Sequence, residues 1–181
     1  AAGFMVSPYA GGRGSRMIGP GYVQAMAAYN AEMNRRLYAA AARLPDEARR
    51  QDRGAFWCSI HGTFSHLLWA DGMWMHRFDG WARPGGVLAD SGGHPDFAAM
   101  RDARADADLD LREWAGRVRQ DWLDGTTEWV SGATGQQQVR PTALVVAHMF
   151  NHQTHHRGQA HAMLTAAGER TGDTDLWTVE L

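Results

Sequence analysis

Nine histidines and a single cysteine are spread over the 181 residues of the chain, and five of the histidines fall at positions 148, 152, 155, 156 and 161. On a helix each residue turns by about 100°, which sets His152 about 40° from His156. Val145, Met149, Ala160 and Met163 lie on that same side, so the pair belongs to the apolar face that should turn inward. His148 and Gln159 fall on its flank, His155 lies further round, and His161 points nearly opposite. An imidazole in a core has two nitrogens to satisfy, so a pair one turn apart is costly unless something binds both. A divalent metal does so, because side chains at i and i+4 converge on a point about 2 Å from each nitrogen. The alternative is two rings hydrogen-bonded to buried polar groups or water.

A metal site needs a third ligand from another helix. Residues 56–81 carry His61, His66 and His76. His66 shares its stripe with Gly62 and Ala70, one turn to either side, and these small residues either leave room around it or merely let two helices approach closely. His61 and His76 fall away from that stripe. Asp71 is near enough in sequence to be a fourth ligand or an acceptor for an imidazole N–H, although its angle is unfavourable. Asn151 and Arg157 flank the histidine pair; they could meet a bound anion, or serve as surface or helix-contact residues. Cys58, one turn before His61, reads as a buried free cysteine rather than a catalytic thiol.

Other chemistries find little support. One cysteine excludes a disulfide framework and any zinc site that needs two thiolates from one chain. No G-x-S-x-G, P-loop, GxGxxG or HExxH is present, which leaves Ser/His/Asp hydrolysis and nucleotide binding without a motif. The 18 basic residues, all arginine, against 20 acids give a net charge of -2, which argues against a nucleic-acid partner. No apolar run approaches the roughly 20 residues of a membrane span. The glycine-rich start lacks both regions of a signal peptide, so the expected location is the cytoplasm, with no membrane partner.

Four helical patterns must position these residues. The first covers residues 21–44 and stops at Pro45; the second covers 56–81 and is closed by Arg83-Pro84-Gly85-Gly86. The third follows His94-Pro95, with Pro95 suited to a first-turn position, and continues to Gly125. Residues 126–138 read as a loop with at most a short extended piece at 128–131. The fourth runs from Pro141-Thr142 to Ala167-Gly168, with the glycine as C-cap. The expectation is an all-α protein, an antiparallel four-helix bundle with long connecting loops that could cover one mouth of the bundle. Residues 1–17 are read as a disordered arm or a cloning remnant, and 18–181 as a single domain.

The run Asn151-His152-Gln153-Thr154-His155-His156-Arg157-Gly158-Gln159 resembles the closing-helix motif of the DinB-like (DinB/YfiT) metalloprotein family. Ser59-Ile60-His61-Gly62-Thr63-Phe64-Ser65-His66-Leu67-Leu68-Trp69-Ala70-Asp71, continuing through Trp74 and Arg77-Phe78, is similar to its second-helix motif. With the first-helix pattern the resemblance covers roughly residues 18–181. It implies a DinB/YfiT-like four-helix bundle, often a homodimer, with a three-histidine site for nickel, zinc or a related divalent ion. Carried over, the ligands are His66, His152 and His156, the three that helical geometry also favours. Characterised relatives include mycothiol-dependent maleylpyruvate isomerase and bacillithiol or mycothiol S-transferases. Two departures stand out: Ser65 where the motif commonly has Asn, and Gly72 where it has Arg or a similar residue. Neither removes a ligand, but both bear on the pocket.

The resulting expectation is a metal-dependent enzyme acting on a small molecule. It would activate a low-molecular-weight thiol cosubstrate, as an S-transferase or thiol-dependent isomerase does. No catalytic side chain is assigned. Metal-activated water for hydrolysis would use the same site. A non-catalytic, metal-stabilised stress-response or ligand-binding module is the other reading, and a fourth protein ligand such as His148 or His61 would favour it.

Overall fold

The computed structural model describes residues 16–132 and 134–180. Of the amino-terminal arm expected at 1–17, residues 1–15 lie outside the described residues. Helix α1 (Pro20–Ala42) begins on a proline, whose missing N–H leaves nothing unpaired in a first turn. A short turn, α2 (Asp46–Arg50), follows it. Helix α3 (Ile60–Asp79) opens on Ser59, whose hydroxyl accepts from the Gly62 N–H, and closes at Gly80 with φ 71°. That left-handed conformation suits glycine. The helix therefore starts later than Phe56 and stops before Trp81, because Cys58 (φ 60°) and the Ser59 cap interrupt the pattern.

Helix α4 (Phe97–Arg117) is capped by the Asp96 carboxylate, which accepts from the Ala99 N–H, so Pro95 precedes the cap instead of entering the first turn. The helix expected to reach Gly125 breaks at Val118, where ψ is 130°, and resumes as α5 (Gln120–Leu123). The break sets the Trp114 and Trp122 rings 6.0 Å apart. Eight residues along a straight helix would separate them by about 12 Å. The expected loop at 126–138 is also corrected. It holds most of an antiparallel hairpin, β1 (Thr126–Val130) against β2 (Gln137–Pro141), with Thr127 opposite Arg140 and Trp129 opposite Gln138. Only Thr127 of these strands is buried, so the alternation that marks a strand hardly registers in residue type. Helix α6 (Thr142–Ala166) follows directly.

α1 packs on α4 and α6, and α3 packs on the same two helices. Two apolar clusters fill the space between. One includes Val23, Met26, Met75, Leu111, Trp114, Val146 and Phe150; the other includes Leu37, Tyr38, Ile60, Phe64, Phe97, Met100 and Leu164. Their order along each helix fixes its direction. α1 and α6 run from the first cluster to the second, and α3 and α4 run back. The neighbours α3 and α4 therefore point the same way, as do α1 and α6, and the long link across residues 80–96 makes that return possible. Strict alternation of neighbouring directions is not what the chain adopts.

At the boundary of the two clusters each helix contributes buried polar residues: Asn30 and Asn34, Asp71, Arg104 and Asp108, Gln153 and Arg157. Arg104 ties this layer together, bonding Asp71 at 2.6 Å and Asp108 at 2.8 Å, while Asn34 donates to Asp108 at 3.0 Å. Pairing of this kind offsets the cost of burying Asp71, Arg104 and Asp108.

Candidate metal centre

His66 of α3 meets His152 and His156 of α6 at the height of the polar layer. One ring nitrogen from each lies within 4.8 Å of the others. The Nε2 atoms of His66 and His152 are 3.2 Å apart. Two nitrogens each bound at about 2.0–2.1 Å to one ion would be about 3.0 Å apart at a right angle and about 3.4 Å apart at the tetrahedral angle. The observed spacing falls between these values, so one ion fits between the two rings with little movement.

Hydrogen bonds fix where the protons sit. The Ser91 hydroxyl donates to the Leu88 carbonyl at 2.8 Å, so it accepts from Nδ1–H of His66 at 2.9 Å. His66 then has its Nε2 lone pair turned toward His152. Gln159 Oε1 accepts from Nδ1–H of His156 at 2.7 Å and does the same for that ring. Nδ1 of His152 is buried without a partner. Burial, reinforced by repulsion from the neighbouring rings, pushes His66 down to about 3 and His152 down to about 4. Burial also lowers His156. At neutral pH the three rings are thus uncharged, the form in which imidazole binds a metal.

Ser65 and Gly72 both serve the loop that reaches His66. The Ser65 hydroxyl donates to the Ser91 carbonyl at 2.6 Å and accepts from the His94 N–H at 2.9 Å. It pins the loop that delivers Ser91 to His66. A Cβ on Gly72 would lie 2.7 Å from Cγ of Pro84, so only glycine admits the same loop at its other end. Gly62 plays a parallel part, since a Cβ there would collide with the Trp57 carbonyl oxygen. Trp57 stacks on His66 with ring centres 4.1 Å apart. A cavity of about 860 Å³ opens onto the three histidines, walled by Phe56, Trp57, Val87 and Leu88. Residues 87–89 of the link after α3 border this mouth. Among the described residues no carboxylate lines it.

The other sequence candidates are engaged elsewhere. His61 is buried, with Nε2 donating to the His94 carbonyl at 2.6 Å, and so supports the same loop. His148 packs edge-on against Trp74 at 5.5 Å, outside the cluster. Asp71 is taken by Arg104 and accepts from no histidine. Asn151 is exposed, whereas Arg157 is buried under the Tyr29 ring on the α1 side. His76 bonds the Trp81 carbonyl and His161 the Thr171 hydroxyl. Cys58 is exposed, contrary to the buried thiol expected, because it occupies a left-handed turn ahead of α3. Sequence reasoning missed Ser91, Trp57 and Gln159 as contacts of the site. The first two lie outside regular helix, where no periodicity marks them, while the spacing of Gln159 three residues after His156 was a usable signal.

No curated protein and no solved structure matches the chain. The family model described as DinB family matches residues 17–181. That match spans every element from α1 onward and both helices that carry the histidine cluster, and the chain belongs to the DinB family.

Proposed function

We propose that His66, His152 and His156 hold one divalent ion, nickel or zinc, and that the protein is a metal-dependent enzyme activating a low-molecular-weight thiol. The reaction would be of the S-transferase or thiol-dependent isomerase type. The observation that carries this reading is the convergence of three uncharged imidazoles at the floor of an open cavity, without a fourth protein ligand among the described residues. A divalent ion bound there supplies an open coordination position and the positive charge that lowers a thiol's pKa. Ser91 and Gln159 hold the rings of His66 and His156 in the ligating tautomer, and Trp57, Val87 and Leu88 give the cavity an apolar wall. The lack of a lining carboxylate favours chemistry that needs no strong general base over hydrolysis. Structural zinc sites are usually closed by four protein ligands. His61 bonds the His94 carbonyl and His148 lies outside the cluster, which weighs against a purely structural ion.

The resemblance to DinB/YfiT proteins further supports a homodimer of four-helix-bundle type, with residues 18–181 as one domain, and we propose a cytoplasmic location. Metal content decides the site. Purified wild type should carry one equivalent of divalent metal and His152→Ala far less; equal stoichiometry in both would remove the assignment. Conjugation of an electrophile with cellular thiols, lost on chelation, tests the reaction. Inactivity with every cellular thiol would defeat it.

A further inference from the structure

A second cavity lies between α6 and α1, and it shares no lining residue with the one above the histidines. Its volume is about 170 Å³, and Tyr29, Arg36, Thr154, Arg157, His161 and Thr171 line it. Pockets for drug-sized ligands run to about 300–1,000 Å³. This one has room for a few heavy atoms.

The chain after α6 is strapped across this space. The Tyr29 hydroxyl donates to the Thr174 carbonyl at 2.7 Å, and Arg36 Nη1 donates to the Asp173 carbonyl at 2.7 Å. The Thr171 hydroxyl sits 2.8 Å from Nδ1 of His161 and orients that ring.

Arg157 is the anomaly. It is only 5% exposed, and among the described residues no carboxylate lies within salt-bridge distance of it. The nearby core carboxylates Asp71 and Asp108 are both bonded to Arg104. Its Nη2 donates to the Thr154 hydroxyl at 3.3 Å, and its Nη1 has no partner at all. A buried guanidinium without a direct counter-ion is costly. Arginine's planar fork matches the paired oxygens of a carboxylate or phosphate. Gly158, next in sequence, also lines the cavity, and a Cβ there would meet nothing within 4 Å.

We propose that this cavity binds a small oxyanion, of the carboxylate or phosphate class, on Arg157, with the hydroxyls of Thr154 and Thr171 beside it. Size excludes a nucleotide or other extended anion, and the guanidinium disfavours a cation.

The test is the thermal midpoint of the metal-free protein in inorganic phosphate and, separately, in formate, each at constant ionic strength against chloride. A rise of about 3 °C or more is expected with at least one of the two, and which one acts reports the class. The rise should persist in His152→Ala and vanish in Arg157→Gln. Gly158→Leu, which adds a bulky side chain to the cavity lining and keeps the charge, should also abolish it, and it decides the matter if Arg157→Gln does not fold. No shift with either anion overturns the proposal, because Arg157 then only balances the core carboxylates. A shift lost in His152→Ala, or one retained in Gly158→Leu, overturns it as well.

Discussion

His66 and His152 face each other through their Nε2 atoms at 3.2 Å, although 86 residues separate them in the chain. Ser91 directs the His66 lone pair toward this gap. Without a proton or a cation in between, two lone pairs would oppose each other at that distance. The relationship ties the site's metal chemistry to a loop residue that binds no metal itself.

Ser91→Ala should therefore weaken metal binding without removing a ligand. Loss of an outer partner of a ligating histidine costs about 10–100-fold in affinity. Competition against a chromophoric chelator measures it. Affinity equal to wild type would show that the hydroxyl does not orient His66.

His148→Ala and His61→Ala should both retain full metal stoichiometry, since neither ring belongs to the cluster. His61→Ala should still lower thermal stability, because it frees the His94 carbonyl from its 2.6 Å bond. Loss of metal in either variant, read by elemental analysis, would point to a fourth protein ligand.

The metal-free protein should lose stability as pH falls from about 6.5 toward 4. His66 and His152 titrate near 3 and 4 in the fold, because burial and neighbouring imidazoles disfavour their charged forms. In the unfolded chain they titrate near 6.5. Below that value the unfolded state binds more protons, so the contribution is intact above 6.5 and is drawn down as the pH drops. Thermal midpoints between pH 7.5 and 5 check this, and a flat profile would contradict it. The double variant His66→Gln, His152→Gln should show a shallower fall.

Asp71→Ala should destabilise the fold by about 3–5 kcal/mol, the range for breaking one side of a buried ion pair. Arg104 would keep Asp108 but lose its 2.6 Å bond to Asp71. Denaturant titration measures the change, and a cost below about 1 kcal/mol would mean that water replaces the carboxylate.

Gly72→Arg should displace the loop at Pro84 and not simply add a charge. A Cβ at this position already falls 2.7 Å from the proline ring, and overpacking of this kind costs about 1–3 kcal/mol. Faster amide exchange across residues 82–94 is the expected readout.

Much of this protein was legible in its residues alone. The 3.6-residue period placed four long helices, and the i, i+4 pair at 152 and 156 sat on the apolar face because helical angle depends only on spacing. His66 could be singled out among the three histidines of its helix by its stripe with Gly62 and Ala70. Local sequence also explains the Ser59 and Asp96 caps, although helix ends differ from expectation, by eight residues at the close of α4. What tertiary structure decided is everything that depends on contact between distant segments. It set the shared direction of α3 and α4, the hairpin whose strands are mostly exposed, and the break at Val118 that lets Trp122 reach Trp114. It also brought Ser91 and Trp57 to His66 and left Arg157 without a carboxylate. Those outcomes rest on how side chains fill shared space, and no periodicity along the chain encodes that.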